Sequence, residues 1–172
     1  MSCMMKIVFT FVATVVIFAS AVYAQKTSAE YVADGTRYAA AGDYANAALV
    51  FQRAVSLEMA NRTLERDAWL GLITDLAYTY RRIGRISPAA VVLAYGLGQD
   101  RAYPMFHYGL AQCAAARHDF DGSIASLRLA YKYKDNIRQG NTFPDPLTDP
   151  EFRTFRANPK FKKAVAEMKT LK

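Results

Sequence analysis

From Ser28 onward the apolar positions of this chain fall at helical spacing, and one set of them recurs. Ala47, Phe51 and Ala54 share a face of a segment that starts at Tyr44, because residues four and seven apart line up on a helix. Small residues on either side of a large one let a second helix approach closely while the ring fills the gap. Upstream, Tyr31, Gly35 and Tyr38 form the matching stripe of a helix from Ser28 to Ala41. Moving on 42 residues, Gly35, Tyr38, Ala47, Phe51 and Ala54 become Ala77, Tyr80, Ala89, Leu93 and Gly96. Moving on 34 more, they become Ala111, Ala114, Ser123, Leu127 and Ala130. Turn signals keep the same register: Gly42-Asp43, Gly84-Arg85 and His118-Asp119. Each helix has one apolar stripe, so each pair must stack on a neighbour to bury it.

The second unit carries eight extra residues, Asn61 to Ala68, rich in helix formers. They predict a long first helix ending at Arg82, whose start projects past the edge of the stack. Ile73, Leu76, Ala77 and Tyr80 form its inward stripe. Ser87-Pro88 predicts the start of the next helix, with Ser87 as N-cap and Pro88 at the first helical position. The third unit, Pro104 to Tyr133, has a weaker pattern: His107, Ala114 and Ser123 stand where the earlier units favour other residues. It is expected to be loosely packed. Residues 135–148, with Gly140, Pro144 and Pro146, read as a loop. Asp149-Pro150 and Asn158-Pro159 then each predict a helix start. Phe152 and Phe155 on the first helix, and Phe161, Val165 and Met168 on the second, should cover the open end of the third unit.

The pattern x-G-x2-Y followed by A-x3-F-x2-A, repeated in register, resembles the tetratricopeptide repeat. The resemblance implies an all-α fold: a right-handed α-solenoid of about three helix-turn-helix repeats, near 28–61, 70–103 and 104–137. Residues 25–134 would form the repeat domain and 149–172 the C-terminal capping helices.

The start of the chain changes where such a domain would work. Lys6 precedes an uncharged run, Ile7 to Ala24, that ends Ala21-Val22-Tyr23-Ala24. A basic start, an apolar middle and small closing residues predict a signal peptide over residues 1–24, cleaved after Ala24. The expected location is export, to a bacterial periplasm or as a secreted protein. An uncleaved anchor is the alternative, at the short edge of what spans a bilayer. No Cys follows the apolar run, so a lipoprotein is not expected. Cys113 is the only thiol beyond the leader. One thiol makes no internal disulfide, so packing must hold the fold.

The net charge is +7, and the last 22 residues carry most of it: seven Lys or Arg against Glu151 and Glu167. Arg156, Lys160, Lys162 and Lys163 could touch an anionic lipid or an acidic polymer. Nucleic acid is not the expected partner of an exported chain. Nor does any group converge for catalysis. His107 has no metal-ligand neighbour at helical spacing, since Leu110 and Ala111 occupy those places, His118 falls at a turn, and no phosphate-cradling glycine loop is present. The expectation is a non-enzyme with no cofactor and no metal. Asn61-Arg62-Thr63 fits a glycosylation sequon, a match common by chance.

What remains is surface. The resemblance implies that the first helix of each unit lines a concave groove that binds a partner protein or peptide. By register, Val32 and Thr36, then Thr74, Tyr78, Arg81 and Arg82, then Met105, Tyr108 and Gln112 would line it. Thr74, Tyr78 and Arg81 share one helical face, where an aromatic beside two guanidinium groups suits a carboxylate. The clamp of chaperone-binding relatives is incomplete, with Ala39, Ala40, Ala115 and Ala116 at its positions. The alternative function is an envelope protein that binds polyanions or a membrane surface through its basic C-terminal helices.

Overall fold

The computed structural model describes residues 26–170. The leader and its predicted cleavage point lie outside the described residues. Those residues form seven α-helices and two short 3-10 turns, with no strand. In chain order the helices are α1 (Ser28–Ala40), α2 (Tyr44–Ala60), α3 (Arg66–Arg82), α4 (Ile86–Gln99), α5 (Pro104–Ala116), α6 (Phe120–Lys132) and α7 (Pro159–Lys169). Consecutive helices pack as hairpins, α1 with α2, α3 with α4 and α5 with α6, and each hairpin stacks on the next. No helix of the described residues is long and apolar enough to cross a membrane.

The recurrent positions do equivalent work in the three hairpins. Phe51, Leu93 and Leu127 are all essentially inaccessible, and so are the small residues Ala47, Ala89 and Ser123 one turn before them on the same helices. Gly35 is small for a definite reason: a Cβ there would sit 2.5 Å from the Phe51 ring. The turns repeat as well. Gly42, Gly84 and His118 adopt positive φ of 78°, 75° and 59°. After each, a main-chain N–H reaches back over the helix end: Asp43 to Tyr38, Arg85 to Tyr80 and Asp119 to Ala114, at 2.8–2.9 Å. This left-handed C-terminal cap satisfies carbonyls the helix leaves open. Asp43 and Asp119 then cap the following helices through their side chains.

Several sequence expectations need correction. Asn61 to Glu65 is a loop, not the start of a projecting helix. The buried Glu58 carboxylate accepts hydrogen bonds from the Thr63 N–H (3.1 Å), the Thr63 hydroxyl (2.7 Å) and the Leu64 N–H (3.0 Å). Those amides are thereby lost to a helix, and only Arg66, Asp67 and Ala68 of the insertion join α3. Helix α4 begins at Ile86 with Arg85 at its cap, ahead of Ser87. Pro88 is tolerated one turn in, where N–H groups have no helical partner. Asp149-Pro150 opens only a 3-10 turn, Pro150–Phe152, with further turns to Ala157.

The third unit is tight rather than loose. Ten residues of α5 are buried, including Phe106, Tyr108 and Ala111. The His107 imidazole stacks on Tyr133 at 5.6 Å, and its Nε2 lies 2.9 Å from the Arg101 carbonyl. The Ser123 hydroxyl donates to the Ala111 carbonyl. Phe152, Phe161, Val165 and Met168 close the end of the stack against Tyr108, Leu127 and Tyr131.

Candidate functional site

Helix α3 packs on α5 and also touches α1, while the even-numbered helices make less contact with one another. The stack therefore curves toward its odd-numbered helices, and these line the inner face. Thr74, Tyr78 and Arg81 from α3 meet Met105, Tyr108 and Gln112 from α5 around one cleft of about 270 Å³. Six of the nine predicted groove residues are thus brought together. Arg82 lies in an adjoining cavity of about 550 Å³ with His118, Glu151 and Arg153. Val32 and Thr36 line neither space. Val32 packs against the core, and the Thr36 hydroxyl donates to the Val32 carbonyl.

The two guanidinium groups are in different states. Arg82 lies 4.4 Å over the Tyr44 ring and donates through Nη1 to the Tyr78 hydroxyl at 2.8 Å. Tyr44 and Tyr78 meet edge to face at 5.8 Å. Arg82 is thus committed to an aromatic pair. Arg81 sits 5.8 Å from the Tyr78 ring, and its Nε is buried without a hydrogen-bond partner among the described residues. A buried N–H without an acceptor costs about 1–3 kcal/mol.

Sequence reasoning missed Asp75 and everything contributed by the C-terminal segment. Asp75 is open to solvent yet surrounded by protein on the inner face, and this desolvation raises its carboxyl to about 6, against the pull of Arg138. Arg138 reaches that face because residue 71 is glycine: a Cβ there would lie 2.7 Å from its Nη1. Pro144 and Asp149 form one wall of the Tyr78/Arg81 cleft. Asp149 Oδ2 accepts from the Tyr108 hydroxyl at 2.8 Å and from Gln112 Nε2 at 2.9 Å. Burial, with Asp149 beside it, pushes the Tyr108 phenol far up, which keeps it a donor. Tyr108 and Gln112 are therefore already occupied by this chain. Of these residues only Asp149 carried a signal, as a helix cap, and that signal did not point toward the groove.

The other reactive side chains have local roles. Burial lowers the His107 imidazole below its ordinary value and raises the Cys113 thiol above its own. Cys113 is fully buried and has no disulfide partner among the described residues. No group of three or more His, Cys, Asp or Glu is placed to hold a metal ion among those residues. On α7, Lys160, Lys162 and Lys163 are exposed opposite the buried Phe161, Val165 and Met168, while Lys169 pairs with Asp145 at 2.7 Å. No protein-family model matches the chain, and no curated protein matches it.

Proposed function

We propose that this chain is an exported, non-catalytic interaction module of the tetratricopeptide type. Its inner face holds a segment of a partner protein that presents a carboxylate to Tyr78 and Arg81. The observation that carries this reading is Arg81: a cation with a buried, unpaired Nε, beside an aromatic ring, on the wall of an open cleft. Guanidinium suits a carboxylate because its planar N–H groups match two oxygens at once. The apolar leader in the sequence supports export, to a periplasm or as a secreted protein, and no set of reactive residues in the sequence supports catalysis.

The test is affinity capture from the source envelope with the mature chain and with Tyr78→Ala/Arg81→Ala. A partner retained by the first and lost by the second, at unchanged helical circular dichroism, supports the reading. Equal capture by both rejects it. The exposed lysines of α7 support a second reading, contact with a polyanion or an anionic membrane surface. Binding to anionic vesicles that weakens with salt and disappears when Lys160, Lys162 and Lys163 become Glu would favour it.

A further inference from the structure

The inner face is not empty. After α6 the chain turns back and runs from Ile137 to Thr154 along it, bordering in turn the spaces beside Asp75, beside Arg81 and beside Arg82. Residues 141–145 have no regular structure. Main-chain hydrogen bonds within residues 138–149 link Asn141 to Arg138 and both Thr148 and Asp149 to Asp145. None of these reaches α3 or α5. The segment is held by side chains instead. Phe143 meets Tyr108 edge-on at 5.8 Å and Tyr131 at 5.0 Å. Asp149 satisfies the Tyr108 hydroxyl and Gln112. Pro146 is buried between these two anchors.

A peptide docked in a groove would be held in this way, with an aromatic ring in a wall of rings and a carboxylate on paired donors. Nothing in those contacts requires the occupant to belong to the same chain. The ends of the segment are held by other contacts, upstream by the stack of Tyr133 on His107 and the Asn136 amide on the Ala102 carbonyl, downstream by the fully buried Phe152. Releasing what lies between leaves both core anchors in place.

We propose that the inner face of α5, with Tyr131 of α6 and the α3 wall of the cleft beside it, is a binding site for an extended segment bearing an aromatic ring, prolines and a carboxylate. Phe143 to Asp149 fill it in cis, and a partner segment of the same chemistry exchanges with them. The proposal rests on the reading of this face as a recognition surface. It adds the chemistry of the ligand and a built-in competitor. A tethered competitor acts at an effective concentration on the order of millimolar, so a free segment of equal affinity binds the intact protein weakly.

The probe is a fluorescent peptide with the sequence of residues 141–150, titrated by polarisation into the full chain and into Phe143→Ala/Asp149→Asn. Asn keeps the capping acceptor at position 149 while removing the carboxylate. The peptide should bind the variant at least tenfold more tightly than the unaltered protein, and the same peptide with alanine for its phenylalanine should lose that binding. Equal affinity for both proteins, or no binding to either, overturns the proposal. If the double variant loses its helical circular dichroism, a variant with residues 141–147 replaced by an equally long Gly/Ser linker takes its place under the same criteria. Peptide failure with partner capture still dependent on Tyr78 and Arg81 would sink the exchange alone. Peptide success without that dependence would sink the carboxylate reading at Arg81 alone.

Discussion

Replacing Gly35 with alanine should destabilise the protein although it improves the local helix. Alanine is better than glycine inside a helix by about 1 kcal/mol. At position 35, however, the new methyl would sit 2.5 Å from a Phe51 ring that is 1% exposed and walled in by core residues. Ordinary carbon contacts lie near ~3.5–4.0 Å, so the ring must retreat by about 1 Å or α1 must lift off α2. Overpacking of that kind costs roughly 1–3 kcal/mol, and a clash with a rigid ring belongs at the upper end. The net loss should be about 2 kcal/mol. For a chain of this size that lowers Tm by about 4–8 °C. Gly98 supplies the control, since nothing lies within 4 Å of its would-be Cβ. Gly98→Ala should leave stability unchanged or raise it by up to about 1 kcal/mol. Urea unfolding followed by circular dichroism measures both. Phe51→Leu should lessen the penalty of Gly35→Ala, a positive coupling in a double-mutant cycle. The reasoning is refuted if Gly35→Ala and Gly98→Ala have the same effect, because helix propensity alone would then explain both.

Three further perturbations probe other parts of the fold. Asp75 has a folded-state carboxyl raised to about 6, so its contribution is fully present below about pH 4 and is lost as pH rises through 6. Asp75→Asn should flatten stability across that window and stabilise the protein at pH 8, by well under the full linkage value because the group is open to solvent; urea midpoints at several pH values check this. His118 takes a φ of 59° where the equivalent turns use glycine, so His118→Gly should raise stability by about 0.5–1 kcal/mol, read from the thermal midpoint. Glu58→Ala should cost about 1–2 kcal/mol, because it removes the hydrogen bonds from Thr63 and Leu64 to a charged acceptor while leaving the exposed Thr63 free to turn to water, and protease cleavage between Asn61 and Glu65 should accelerate. Burial opposes the Glu58 charge, but hydrogen bonds from Ser28, Thr63 and Leu64 outweigh it and hold the carboxyl below its ordinary value. This contribution should therefore fade as the solution is acidified through that lowered pKa.

The helical stack was legible because its information is local and repeated. Phe51, Leu93 and Leu127 stand in register in the sequence and in equivalent burial in the structure. Gly42 and Gly84 mark their turns by composition; His118 shares the geometry without the glycine and could be placed only by register. The insertion misled for a physical reason. Leu64 and Glu65 favour helix in isolation, yet a single buried carboxylate, Glu58, draws the amides of residues 63 and 64 out of that pattern. Helix propensity of a few tenths of a kcal/mol per residue loses to a buried charge that must be satisfied.

The weak sequence pattern of the third hairpin and the occupied inner face have one cause. Read as a copy of the first two units, Pro104 to Tyr133 lacks apolar residues at several positions. A copy in the middle of a stack would pack on another hairpin. This unit instead packs on Phe143, Phe152, Phe155, Phe161 and Met168, which come from a segment without helical periodicity or from a short terminal helix. Its neighbour is aromatic and irregular, so its own surface differs: a small residue, Ala114, where the earlier units have Tyr38 and Tyr80, and hydrogen-bond donors at Tyr108 and Gln112. Those donors would be costly to bury without an acceptor. They are tolerable because Asp149 arrives from 37 residues beyond Gln112. No periodicity in the sequence encodes such a pairing, since it joins a regular helix to a loop. Departures from the recurrent pattern therefore locate the surface that faces something other than another helical hairpin.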